Sequence, residues 1–232
     1  MSVLNRTKNL ILDAVFPKQC LCSKWGEVLC TDCYKLIPIN KTQLCPHCRK
    51  ISENGKVCTN CRAKSNLTGV MVFGDHEGVL KDAIWQYKYI FIRDLKYPLS
   101  NLLSEKFGDF IKKKQFLITF VPASQNRFHW RGFNQSELLA RELAGNLDLN
   151  YTNLLTKKGR IKPQVGLKRK ERIKNLSGKI VLKSSFSPEE LKNKRVLIVD
   201  DVYTTGTTLE ECAKVLRQSG AREVWGVVLS RD

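Results

Sequence analysis

Arg195-Val-Leu-Ile-Val-Asp-Asp-Val-Tyr-Thr-Thr-Gly-Thr-Thr208 decides how this chain is read. Its first part, residues 196–199, is an unbroken apolar run, the composition of a strand buried on both faces. The run meets two acids, Asp200 and Asp201, and then a short loop of hydroxyls around Gly206. A helix is expected over 208–219, ended by Gly220. Thr204, Thr205, Thr207 and Thr208 supply hydroxyl donors, and Gly206 lets backbone amides approach an anion closely. The helix adds its N-terminal amides and dipole at the same place. Carboxylates at the end of a strand, as expected for Asp200 and Asp201, can accept hydrogen bonds from a sugar diol. An ordinary strand-to-helix turn with a threonine cap explains one threonine, not paired acids followed by four. The G-x-x-x-x-G-K-[ST] pattern is absent, so this is not a Walker loop.

The pattern around this stretch alternates. Strands are expected at 67–74, 116–121, 179–182 and 223–229, and helices at 78–89, 95–112 and 134–147. Alternating β and α elements imply a parallel sheet covered on both faces, an α/β fold. Cys212, spaced with Leu209, Ala213 and Leu216 as on one helix face, is expected in the core. Residues 156–178 lack clear periodicity and are heavily basic. A break near Lys64-Ser65-Asn66 divides the chain into a cysteine-rich part, 1–66, and an α/β part, 67–232.

Eight of the nine cysteines lie in the first part, in four pairs: Cys20/Cys22, Cys30/Cys33, Cys45/Cys48 and Cys58/Cys61. Three pairs are C-x-x-C turns, which point two thiolates at one tetrahedral centre; the first is the tighter C-x-C. Consecutive halves make two ribbons, Cys20, Cys22, Cys30 and Cys33 in one and Cys45, Cys48, Cys58 and Cys61 in the other. A cross-braced pairing, first with third and second with fourth, fits the spacing too. Two zinc ions, one zinc with a degenerate first half, and thiols or disulfides are the readings the spacing leaves open. A set of four sulfurs has no open coordination position, so such zinc is structural. His47 is surplus to the set and is expected to be a solvated bystander.

The 232 residues carry 40 Lys+Arg against 22 Asp+Glu, a formal net charge of +18, and 42% hydrophobic residues. That is enough apolar material for a core and excludes global disorder. Two Cys₄ zinc centres, each about −2, leave a strongly basic chain that favours nucleic acid, phosphorylated small molecules or an anionic membrane face as partners. No apolar run approaches the roughly 18–20 residues of a membrane span. The opening MSVLNRTKNLILDAVFP lacks a cleavage site and reads as a short amphipathic helix with Leu4, Ile11 and Val15 on one face. The expectation is a cytoplasmic protein without a transmembrane segment.

VLIVDDVYTTGTT resembles the motif of type I phosphoribosyltransferases, whose ligand is phosphoribosyl pyrophosphate (PRPP). The segment from Trp130 to Ala140, WRGFNQSELLA, narrows the likeness. With Val121-Pro122 before it and Gln164, Leu167, Arg172 and Asn175-Leu176 after it, it resembles the ComF family of competence proteins. That family joins an N-terminal cysteine zinc ribbon to a phosphoribosyltransferase domain. The resemblance implies that Asp200 and Asp201 bind the ribose hydroxyls and that the loop through Val202 and Thr204–Thr208 binds the 5′-phosphate, with Mg²⁺ accompanying PRPP. Lys88 matches the lysine ahead of the pyrophosphate loop, although Ile90-Phe91 stands where the family often has glycine. It also implies single-stranded DNA and a DNA-import helicase as partners in natural transformation.

From 157 to 195 there are 14 Lys/Arg and three acids, a density that a solvated face alone can account for. Arg127, Trp130, Arg131 and Phe133 interleave cation and aromatic, which suits stacking on bases or a sugar. With Arg160, Lys168, Arg169 and Arg172 they are the candidate nucleic-acid contacts. An enzyme would use Lys88, Arg131, Asp200 and Asp201 as its candidate catalytic groups; no acceptor pocket or general base is evident in the sequence. A binding module for single-stranded DNA and a scaffold whose ribbons serve a partner protein are the other readings.

Overall fold

Four of the apolar runs become the strands of one parallel sheet. The computed structural model describes residues 17–124, 132–158 and 178–232. In it β1 (Gly69–Asp75), β2 (Leu117–Phe120), β5 (Arg195–Tyr203) and β6 (Glu223–Arg231) lie in the order β1-β6-β5-β2, every neighbouring pair parallel. The helices are α1 (Thr31–Lys35), α2 (Thr59–Arg62), α3 (Gly78–Trp85), α4 (Lys96–Lys114), α5 (Gln135–Leu147), α6 (Pro188–Leu191) and α7 (Thr207–Gln218). The opening helix with Leu4, Ile11 and Val15 lies outside the described residues.

Three elements differ from expectation. The strand expected at 196–199 runs on through both acids to Tyr203, because β6 pairs alongside it as far as Tyr203↔Arg231. The run at 179–182 does not join the sheet: β4 (Ile180–Leu182) pairs antiparallel with β3 (Leu155–Lys157), a strand too short to show a pattern. The helix expected at 78–89 is α-helical only to Trp85 and then widens into a π turn, Gln86–Ile90. Phe91 closes that turn at φ +64°, the left-handed conformation that glycine adopts most cheaply.

Alternation along the strands sorts the apolar residues into two cores. On one face Met71, Phe73, Ile118, Phe120, Leu197, Val199 and Val227 pack under α3, α4 and α5. On the other, Val70, Val72, Val196, Ile198 and Val228 pack against α7, β3 and β4. The four buried apolar positions of α7, Leu209, Cys212, Ala213 and Leu216, follow the i, i+3, i+4, i+7 stripe of an amphipathic helix, and Cys212 is fully buried.

The cysteine-rich segment closes the edge of this sheet. Cys20, Leu29, Cys30, Cys33 and Ile37 belong to the first core and Cys45 and Val57 to the second, so the two ribbons straddle edge strand β1. Between them the chain runs along β1: Asn40 N–H donates to the Phe73 carbonyl (2.9 Å), and the Gln43 amide exchanges two 2.8 Å bonds with the Val72 backbone. Lys106, whose ammonium is pushed down to about 8 by burial, donates to the carbonyls of Asn40 and Phe73, both at 2.6 Å. An unpaired strand edge is a template for aggregation, and this clasp removes it.

Gln43→Ala leaves the Val72 N–H of β1 without a partner and its carbonyl with only the 3.2 Å bond from Lys106. The expected loss is about 1–3 kcal/mol of stability, read from urea or thermal unfolding of the full chain.

Candidate functional site

The carboxyl ends of the parallel strands open onto a cavity of about 390 Å³. Open α/β sheets place ligands at this edge. Asp200, Asp201, Val202, Thr204 and Thr208 line it from β5 and its loop, with Asn134, Gln135 and Ser136 facing them from the start of α5. Asn134 sets that second helix start. Its carboxamide oxygen accepts the Ser136 N–H (3.2 Å), and its NH₂ donates to the Val121 carbonyl at the end of β2 (3.0 Å). Two helix N-termini, of α5 and α7, therefore belong to one site, where their dipoles favour negative charge.

The paired acids are treated differently by their neighbours. Asp201 forms a 2.7 Å ion pair with Lys88, which reaches in from the π turn. Asp200 accepts the Ser136 hydroxyl at 2.8 Å. Desolvation first, and then the charge of Asp201, raises the Asp200 carboxyl to about 6. The π turn is itself anchored: Tyr87, fully buried, donates its hydroxyl to the Gln135 carbonyl (2.9 Å), and the Gln135 side chain donates to the Lys88 carbonyl (3.4 Å).

The four threonines divide into two pairs. Thr204 and Thr208 line the cavity, whereas the hydroxyls of Thr205 and Thr207 bond each other at 2.9 Å and stiffen the loop. Gly206 is required twice over. Its φ is +74°, and a Cβ there would meet the Tyr203 hydroxyl at 2.2 Å.

Each cysteine group assembles from consecutive halves. The sulfurs of Cys20, Cys22, Cys30 and Cys33 lie within 4.8 Å of one another, as do those of Cys45, Cys48, Cys58 and Cys61. Cys22 and Cys30, and likewise Cys48 and Cys58, stand 3.6 Å apart. A tetrahedral centre with metal–sulfur bonds of about 2.3 Å has sulfur–sulfur edges of about 3.8 Å, so both groups fit a metal ion. The C-x-C pair takes its place in the first group, and the cross-braced pairing does not form.

His47 corrects its expectation. It is half-buried, its Nε2 lies 3.0 Å from a Glu210 carboxylate oxygen, and Glu210 sits in the first turn of α7. Glu210 also accepts the Ser65 hydroxyl (2.5 Å) and the Asn66 N–H (2.9 Å), and Tyr203 donates its hydroxyl to the Pro46 carbonyl (3.1 Å). The second cysteine ribbon thus abuts the threonine loop.

Of the nucleic-acid candidates, Phe133 is only 6% exposed. Its ring edges onto Phe91, with the Arg93 guanidinium 4.5 Å above it, so it is a packing residue and offers no open face for a base. Arg127, Trp130, Arg131, Arg160, Lys168, Arg169 and Arg172 lie outside the described residues. Ser136 and His76 are among the cavity residues that the sequence did not single out. Ser136 sits in the quoted motif without an assigned part. His76 lines the cavity with Nδ1 2.8 Å from the Ser230 hydroxyl, and desolvation holds its pKa below the usual imidazole range. Their signal was position, one beside a helix cap and the other just past the end of β1. Among the described residues no helix is long and apolar enough to cross a membrane.

Residues 134–232 match the phosphoribosyl transferase domain family, which agrees with a parallel sheet whose site lies at the β5–α7 loop. The chain is also 31% identical to competence protein F of Haemophilus influenzae, over 86% of this chain and 89% of the relative. It is 30% identical to competence protein ComFC of Streptococcus pneumoniae (84% of each chain) and to DNA utilization protein YhgH of Escherichia coli K12 (87% and 89%). The chain belongs to the ComF family, with a phosphoribosyltransferase domain and two N-terminal cysteine tetrads.

Elemental analysis of protein purified without chelator is expected to find two equivalents of a thiophilic metal per chain. Cys22→Ser and Cys48→Ser should each remove one equivalent independently. Loss of both metals from either single variant would contradict the consecutive pairing.

Proposed function

We propose that this ComF-family chain binds Mg²⁺–PRPP in the cavity and handles single-stranded DNA during natural transformation. The observation that carries the first half is the pair of acids on one strand end, beside a hydroxyl loop at a helix N-terminus and facing a lysine. Ribose hydroxyls would donate to Asp200 and Asp201, and the 5′-phosphate would lie on the loop from Val202 to Thr208. Lys88 would leave its ion pair with Asp201 to meet the pyrophosphate. Carboxylates and phosphate oxygens suit Mg²⁺, which when bound neutralises charge on the pyrophosphate. The tetrads would hold zinc, because four thiolates make a closed tetrahedral site. The +18 charge and relatives named for competence and DNA utilization support the nucleic-acid half. On this reading the protein works in the cytoplasm beside a DNA-import helicase. Residues 1–66 form the zinc-ribbon unit and 67–232 the phosphoribosyltransferase-like unit.

An active phosphoribosyltransferase acting on an acceptor of nucleotide metabolism is the second reading, and His76 favours it. A neutral imidazole lining the cavity is a group that could accept the acceptor's proton. Pyrophosphate release in a panel of nucleobases and amines decides between the two: release with one acceptor establishes turnover, and none across the panel leaves a binding site.

Calorimetric titration with Mg²⁺–PRPP is expected to show one site per chain, lost in Asp201→Asn. Asp200 must be ionised to accept hydroxyl donors freely, so affinity should fall as pH drops through about 6. Asp200→Asn should bind weakly and remove that part of the pH dependence.

Stability should move the other way. A carboxyl raised in the folded state favours folding where it is protonated. Asp200→Asn is therefore expected to be more stable than the parent above pH 6, an advantage that closes as pH falls toward 3.8, the ordinary carboxyl value. Melting temperatures of both proteins across that range test the sign.

A further inference from the structure

The cavity lining also includes two exposed aromatic side chains. Trp85 ends α3 and Tyr89 lies in the π turn that follows, their ring centroids 6.0 Å apart and their planes tilted by 42°. Trp85 is 52% and Tyr89 43% exposed, and Ile90 beside them is exposed as well. Aromatic residues at helical spacing ordinarily belong to a core. Here the core-facing positions of the same segment are already taken by Leu80, Ala83, Ile84 and Tyr87, all fully buried. The π turn is what separates the two roles: it keeps Tyr87 inward and leaves Trp85 and Tyr89 at the surface.

Trp85 also stands on a divide. It lines the cavity that holds Asp200, Asp201 and Thr204, and it lines a second cavity bounded by Ile90, Arg93 and Cys20. The indole is thus shared by a cavity with a sugar-and-phosphate donor set and a groove that leads to the first cysteine tetrad. An exposed cation lies on each side, Lys81 in the first cavity and Arg93 in the second. Exposed aromatic planes between cations match a ligand that repeats sugar, phosphate and planar base. PRPP has no base to stack on either ring.

We infer that Trp85 and Tyr89 are the base-stacking platform for single-stranded DNA, the strand passing over Trp85 from the phosphoribosyl cavity toward the first cysteine tetrad. This rests on the reading of the protein as a handler of single-stranded DNA. It places the stacking surface on the α3–π segment rather than on Phe133, whose ring is packed away.

Three labelled probes test it with the full-length protein by fluorescence anisotropy at low salt: an oligothymidylate, a backbone of the same length with abasic sugars, and the oligothymidylate annealed to its complement. Trp85→Ala and Tyr89→Ala, both at exposed positions, are expected to weaken oligothymidylate binding by roughly 5- to 150-fold, the range of a lost base–aromatic stack. Trp85→Phe should restore most of it. Neither alanine variant should alter binding of the abasic or duplex probe, which is held through phosphates alone. Unfolding curves of the variants establish that they are folded. If the parent binds oligothymidylate and both alanine variants bind it equally well, the platform is wrong and the strand runs elsewhere. Equal parent affinity for the abasic and thymidylate probes would also overturn it. If the parent binds no probe, the single-strand reading itself fails and the platform fails with it.

Discussion

Two carboxylates on consecutive residues are partly withdrawn from water and lie close to each other, and the site is organised around the cost of keeping both charged there. Lys88 pairs with Asp201, while Asp200 is held by the Ser136 hydroxyl with its affinity for a proton raised. Each solution has a structural cost. Lys88 can reach in only from the π turn, which closes with a phenylalanine in the left-handed region and is anchored by Tyr87 and Gln135. Ser136 can donate only because Asn134 caps α5 and ties it to the end of β2. A ligand rich in hydroxyls and anionic oxygens would take over both functions, giving the acids donors and the lysine a partner.

The cysteine segment is built into the α/β body rather than hung from it. Its ribbons contribute to the cores on both faces of the sheet, and the chain between them seals the β1 edge. The second ribbon goes further. Pro46 and His47, inside its first knuckle, contact Tyr203 and Glu210, which flank the loop from Thr204 to Thr208. The Tyr203 ring in turn occupies the space that a side chain at Gly206 would need. Cysteine geometry and loop conformation are mechanically adjacent, which gives the tetrads a part in shaping the site as well as in stability.

Much of this was legible along the chain because it is written in short-range pattern. Apolar runs, the α7 stripe, the glycine and threonine loop, and the cysteine spacing each depend on residues within about sixteen positions of one another. Phe133 misled because an aromatic among arginines looks the same whether its ring faces solvent or Phe91. His47 misled because its partner, Glu210, is 163 residues away. Trp85 and Tyr89 went unremarked because helical spacing alone assigns such residues to a core.

The sequence by itself determined the class of fold, the anion loop with its paired acids, and the membership of the metal-type tetrads up to their pairing. These follow from strand and helix periodicity and from the fixed bite of a C-x-x-C turn. Only the tertiary structure decided which halves of the cysteine motif share a centre, that Lys88 meets Asp201, and that the ribbons clasp β1. It alone brought His76 and Ser136 into the cavity and set Trp85 on its rim. The physical reason is common to all of them: each is a contact between segments far apart in sequence, chosen by how helices and ribbons cover the two faces of one sheet.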